Sequence, residues 1–185
     1  MTVTMKDVRE FLDPEEPDYA MASQLGTDAL PYLTDLVKGD DVQLASKAAY
    51  LAGLIGGPKG VAVLATAAAS ASPTVRVAAA ASIQHAGQVA AATKVTKTLL
   101  ADHDDGVRKQ ALRSAASGAI AGVESSVQGL ADGDPNERLR GLAAEVSGGL
   151  KAAAATKAAA TAAAKAAKPA KPKAAKPSAP RPKQS

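Results

Sequence analysis

The sequence predicts an all-α protein: a superhelix of about five helix pairs followed by a basic tail. Three observations lead there. A block recurs through the first 150 residues, each block carries one-sided apolar periodicity, and the composition changes abruptly at Lys151. A fixed internal period is the signature of a stacked-repeat fold, in which each unit buries its apolar stripe only against its neighbours.

Four stretches carry the repeat: DDVQLASKAAYLAG from Asp40, PTVRVAAAASIQHAG from Pro73, DGVRKQALRSAASGA from Asp105 and PNERLRGLAAEVSGG from Pro135. Anchored on Val42, Val75, Val107 and Glu137, they recur at spacings of 33, 32 and 30 residues. Each begins with an Asp, an Asn or a Pro suited to a helix start and ends at a Gly or one residue past it, so each contains one complete helix. Leu139, Leu142, Ala143, Val146 and Leu150 follow helical spacing, and so do Val107, Ala111, Leu112 and Ala115; both sets describe amphipathic helices.

Ahead of each block lies a second amphipathic segment: ALPYLTDLVKG with Leu33, Leu36 and Val37, then GVAVLATAAAS, ATKVTKTLLADH with Val95 and Leu99, and VESSVQGLADG with Val123, Val127 and Leu130. The unit is therefore helix, tight turn, helix. One more pair fits at the start, with MKDVREFLD as one helix and DPEEPDYAMASQLG as the next. In the latter Asp13 is placed to cap, Pro14 to take the first helical position, and Glu15 and Glu16 to favour the positive helix end. The first and last pairs are expected to be atypical caps.

The recurring Val75-Arg76 with Ala79, Ala80, Ser82 and Ile83, and Val107-Arg108 with Ala111, Leu112 and Ser114, resemble HEAT repeats of the short bacterial kind. LGTDALPYLTDLVKGDD is similar to the junction between two such repeats, and the likeness extends over roughly residues 5–150. Gln43 stands where the pattern has Arg, and Glu137 where it has Val. The resemblance implies a right-handed superhelix whose second helices line a concave surface, with a protein partner held there. Alanine dominates these helices; it favours helix formation and close approach, but each alanine buries little apolar area. A regular body of modest stability is expected.

Composition excludes much else. Residues 151–185 hold nine of the 22 Lys and Arg and none of the 18 Asp and Glu; residues 1–150 carry 13 basic against 18 acidic residues, a net charge of −5. The chain is an acidic body, residues 1–150, with a basic tail, residues 151–185. It has no cysteine, hence no disulfide framework and no thiolate chemistry, which fits a cytoplasmic protein. Lys6, Asp7, Arg9 and Glu10 interrupt the apolar run that a signal peptide requires.

Chemistry-bearing groups are sparse. There is no Trp, and the aromatic residues are Phe11, Tyr19, Tyr32 and Tyr50. Some HEAT-like solenoids act on alkylated DNA bases or attach bilins, but the first activity needs aromatic platforms, and no aromatic falls in the last three repeats. The sequence therefore predicts no enzymatic activity and no cofactor. ADHDDG at residues 101–106 brings together Asp102, His103, Asp104 and Asp105, donors a hard cation could use. It lacks the spacing of a calcium loop and reads as a turn with an Asp capping the helix near Val107. GLIGGPKG at residues 53–60 lacks the Lys-Ser/Thr ending of a phosphate loop and reads as a linker between repeats.

Arg76, Arg108 and Arg138 share one repeat position. The resemblance implies that they pair with acidic turn residues; the other reading is contact with a partner. Lys109, Arg113 and Arg140 read as a solvated face.

The tail divides at Pro169. KAAAATKAAATAAAKAAK, residues 151–168, has high helix propensity, and at about 100° per residue Lys151, Lys157, Lys165 and Lys168 fall within an arc of roughly 120°. Beyond it, prolines favour an extended, disordered chain that carries Lys171, Lys173, Lys176, Arg181 and Lys183. This composition resembles the tails of linker histones and of some bacterial nucleoid proteins. All nine cations are candidates for non-specific polyanion binding by counterion release. The alternatives are a solubilising linker, docking on the acidic body, an anionic membrane surface or a partner protein.

The expected function is a non-enzymatic scaffold or adaptor that binds a protein partner through the solenoid. The alternative is a nucleic-acid-associated protein whose tail binds DNA or RNA. The expected location is the cytoplasm, with nucleoid association if the tail binds DNA.

Overall fold

A computed structural model describes residues 3–87 and 89–166, the last five by backbone alone. The first helix, α1 (Met5–Leu12), starts with a capping box: Asp7 N–H donates to the Thr4 hydroxyl, and Thr4 N–H donates to the Asp7 carboxylate at 2.8 Å. Two backbone donors that a helix start leaves orphaned are thereby satisfied. Val8 and Leu12, four residues apart on one face, are buried.

The second element of this pair differs from the sequence expectation. It starts at Tyr19, not Pro14, as the short helix α2 (Tyr19–Ala22), capped by Asp18, which accepts from Met21 N–H at 3.0 Å. A 3₁₀ segment, Ser23–Ala29, follows. The reason is Pro17: it lacks an N–H and drives Glu16 towards extended backbone, so a helix begun at Pro14 ends before its first turn closes. Asp13 instead faces Arg9 at 3.2 Å.

The remaining helices are α3 (Leu30–Lys38), α4 (Val42–Ile55), α5 (Gly57–Ala68), α6 (Pro73–Ser82), α7 (Ala90–Leu100), α8 (Asp105–Ala116), α9 (Glu124–Gly133) and α10 (Glu137–Ala166). With α1, α2 and the 3₁₀ segment they make the five pairs the sequence predicts. First helices α3, α5 and α7 pack in succession, as do second helices α4, α6 and α8. The protein is all-α, an α-α solenoid. The GLIGGPKG joint between α4 and α5 is one residue long, and Gly56 takes φ +68, ψ −157, a region open essentially to glycine alone.

The repeat register is set by the helix caps. Asp41, Ser72 and Asp104 are the N-caps of α4, α6 and α8, and Asn136 precedes α10. Three residues on from each lies the first buried apolar position, Leu44, Val75, Val107 and Leu139, so the true spacings are 31, 32 and 32. Val42, 41% exposed, and Glu137, also exposed, are therefore not the equivalents of Val75 and Val107. The next position in each unit reads Ala45, Arg76, Arg108 and Arg140. The arginine column thus ends at Arg140, and the expectation that Arg138 continues it is corrected. Arg138 is two residues out of phase and exposed.

One apolar core runs from Val8 to Val146, and much of it is alanine. Small residues bring the second helices close. Ser82 Oγ donates across to Ala49 O at 3.3 Å, and Ser114 Oγ donates to Ala80 O in the same relation one repeat on. α10 is tied to α9 by Ser147 Oγ donating to Gln128 Oε1 at 2.8 Å. The chain divides into two units, Met1–Ala153 and Ala154–Ser185; in the second, the described residues, 154–166, are helical.

Candidate functional site

The charged groups inside the solenoid form an inter-repeat clamp. Arg76 donates from Nε and Nη2 to the two carboxylate oxygens of Asp102, at 2.8 and 3.0 Å, and from Nη1 to Ser70 O and Ala71 O. Arg108 repeats the arrangement one unit later. Its Nε and Nη2 meet Asp134 at 2.8 and 3.0 Å, Nη1 donates to Asp102 O and His103 O, and Nη2 also reaches Asp105 at 2.6 Å. All five guanidinium donors of Arg108 are taken up within the fold. Arg140 makes the matching backbone bond, Nη1 to Asp134 O at 2.7 Å.

Arg76 and Arg108 therefore each hold the turn of their own pair and the carboxylate of the next, 26 residues on. The first full unit lacks the arginine, with Ala45 in its place, and the turn that arginine would reach has Ser70 where later turns have Asp102 and Asp134. The two halves of the pair are missing together, so neither charge is left buried alone. Asp134 lies one residue ahead of its block, which starts at Pro135. The signal was an Asp two residues before a helix cap, as in Asp102-His103-Asp104 and Asp134-Pro135-Asn136.

ADHDDG is this turn. Asp104 accepts from Val107 N–H at 3.0 Å and caps α8, Asp102 holds Arg76, and Asp105 pairs with Arg108. Among the described residues no group of three or more acidic or histidine side chains is placed to hold a metal.

Burial raises the Asp102 carboxyl, but the Arg76 hydrogen bond, the Asp104 N–H and the Arg76 charge outweigh it, and Asp102 ends below the usual carboxylate range. The Arg108 hydrogen bond lowers Asp134 against its own burial, and Arg108 is raised in turn by Asp134. Because both folded pKa values lie below their unfolded ones, this stabilisation is complete above the unfolded carboxylate pKa near 4 and is lost as pH falls through the folded values. The melting temperature, followed by circular dichroism, is expected to be flat from about pH 5 to 8 and to fall steeply below about pH 4. An alanine pair tests the register. Arg140→Ala is expected to cost about 1 kcal/mol through its lost bond. Arg138→Ala should stay within about 0.5 kcal/mol.

The outward face of the second helices carries different chemistry in each unit. Tyr50, Ala81, Arg113 and Glu145 occupy one position in successive units, and Lys47, Ala78, Gln110 and Leu142 another. At the amino-terminal end three rings meet. Tyr19 of α2 lies edge-on to Tyr50 of α4, with centroids 4.8 Å apart at 62°, and Tyr50 lies edge-on to His85, at 6.3 Å and 74°. Tyr19 and Tyr50 are half-buried and His85 is exposed. Burial, and then the neighbouring Tyr50, raise the Tyr19 phenol. Lys109 and Arg113, one turn apart on α8, are exposed. On the other side of the solenoid, α5 and α7 enclose a groove of about 360 Å³ walled by Val61, Ala62, Ala65, Ala91 and Val95.

Of the tail cations, Lys151 and Lys157 are exposed on α10, and Lys151 Nζ donates to Gln128 Oε1 at 2.9 Å. Lys165 lies in α10 by its backbone alone. Lys168, Lys171, Lys173, Lys176, Arg181 and Lys183 lie outside the described residues. Among the described residues no helix is long and apolar enough to cross a membrane.

Comparison with known proteins agrees with the geometry. Residues 30–116 match the family model for HEAT repeats, a span that runs from the first residue of α3 to the last of α8. No curated protein matches the chain.

Proposed function

From the HEAT-repeat match over α3–α8, a family that is generally a non-catalytic scaffold and commonly mediates protein–protein interaction, we propose that this protein is a non-enzymatic adaptor. It binds a protein partner through the outward face of its second helices. The observation that carries this is the ring cluster of Tyr19, Tyr50 and His85 on that face. Half-exposed aromatics are the residues that most often anchor an interface. The clamp arginines Arg76 and Arg108 are buried and hydrogen-bonded within the fold, so partner contact is assigned to the exposed face and not to that column. Affinity capture with the full chain and with Tyr50→Arg tests this. A stoichiometric protein lost specifically with the variant is expected; its absence with the wild-type chain sinks the reading.

A second reading is kept for the tail, on the strength of nine cations and no acid in residues 151–185. Non-specific binding to DNA or RNA, and with it a nucleoid location, would follow from counterion release. The slope of log affinity against log salt would be at most about −8 for nine phosphate contacts. With no aromatic in the tail, base stacking adds nothing. Anisotropy titration of duplex DNA with the full chain, and with the nine cations replaced by glutamine, decides it; equal binding by both removes the tail from the mechanism.

A further inference from the structure

The acidity of the body is not evenly spread. Residues 1–41 carry ten Asp and Glu against three Lys and Arg, a net −7, whereas residues 42–150 carry eight against ten, a net +2. The acidic segment is also the one that covers the start of the second-helix face. Lys47, one turn before Tyr50 on α4, donates from Nζ to Leu12 O at 3.1 Å and to Pro14 O at 2.6 Å. This pins the loop of residues 13–18 beside the rings. Within that loop Glu15 and Glu16 are exposed, and they precede Tyr19 by four and three residues.

In the next unit the position matching Tyr50 is Ala81, and the one matching Lys47 is Ala78. Both alanines are small and partly buried, and Glu15 and Glu16 lie in the loop that Lys47 ties down, within four residues of Tyr19. Grouped rings set edge to face are the surface on which prolyl rings of an extended, preformed chain pack. Adjacent carboxylates and tyrosine faces both attract ammonium and guanidinium groups.

We infer that the Tyr19–Tyr50–His85 platform, with Glu15 and Glu16 at its rim, docks a basic, proline-bearing extended segment of a partner protein. This rests on the adaptor reading above and names the chemistry of its partner. The prolines pack on the rings, the cations sit at the acidic rim, and the net charge of residues 1–41 steers the encounter. Binding is accordingly salt-sensitive through the rim and salt-resistant through the rings.

The test uses the full chain and a fluorescent peptide with the sequence of residues 169–185, PAKPKAAKPSAPRPKQS, chosen as a probe because it has the required chemistry. Saturable binding is expected. Tyr50→Ala should weaken it at least tenfold, Tyr50→Phe should keep it within about threefold because the ring remains, and the Glu15→Gln, Glu16→Gln pair should weaken it severalfold at low salt only. Because the two glutamates are exposed, their replacement leaves the fold intact, which circular dichroism checks. Four results overturn the inference: no binding, binding indifferent to Tyr50→Ala, equal binding by a peptide with its cations replaced by glutamine, or binding that appears only after the chain's own nine tail cations are removed. The last would put the chain's own segment in place of an outside partner. If the peptide fails while the capture experiment still yields a partner lost with Tyr50→Arg, the adaptor reading stands and only the chemistry assigned here falls.

Discussion

Replacing Arg108 by alanine is expected to destabilise the solenoid by about 3–5 kcal/mol, the usual cost of breaking a buried ion pair from one side. For a body of this size that lowers the melting temperature by roughly 6–20 °C. The Asp134 side chain is fully buried and that of Arg108 is 6% exposed. Without the guanidinium, the Asp134 carboxylate retains the Asn136 N–H at 2.8 Å but loses its countercharge. Asp102 O and His103 O lose their Arg108 donors at the same time. Arg108→Lys should recover only part of the loss, since one ammonium cannot serve acceptors spread over two turns. Arg108→Met combined with Asp134→Leu should recover most of it, because no charge then stays buried alone. Chemical denaturation of the four proteins measures this. A single-mutant loss below about 1 kcal/mol would show that the clamp does not hold the repeats together.

Gly53→Ala is expected to destabilise by about 1–3 kcal/mol, although alanine is ordinarily better than glycine inside a helix by about 1 kcal/mol. A Cβ at Gly53 would stand 2.4 Å from Ser82 Cβ and 2.7 Å from Ser82 O, so α4 and α6 must move apart. Cores respond to such overpacking with strain rather than accommodation. Ser82→Gly should relieve the clash only in part, because the backbone oxygen remains. Gly148→Ala on α10 is the control: nothing lies within 4 Å of its added Cβ, and it should stabilise by about 0.5–1 kcal/mol. Opposite signs for the two substitutions, read by thermal melts, are the expected outcome. The same sign for both would mean that the close approach of the second helices is not maintained in solution.

Much of the fold was legible in the chain because its signals are local. Asp41 and Asp104 cap their helices from within three residues, the apolar positions repeat at helical spacing, and a period near 32 residues announces stacking. The one misplaced helix start, at Pro14 instead of Tyr19, was also local, and Pro17 explains it. The phase of the repeats was harder. Val42 and Glu137 match Val75 and Val107 in block position, but both are exposed, because residue type does not set the phase. What sets the phase is the distance from each cap, and burial of Leu44 and Leu139 shows that distance to be three residues.

By itself the sequence determined the class of fold, the number of helix pairs, the acidic body and the basic tail, since composition, capping and periodicity act within a few residues. Only the tertiary structure decided which carboxylate each clamp arginine takes, 26 residues away for Arg76 and Arg108, and that Arg140 rather than Arg138 continues the column. It also decided that Tyr19, Tyr50 and His85, from three successive units, share one platform. Stacking turns residues about 31 apart in the chain into neighbours on a face, and that juxtaposition exists only once the units have packed.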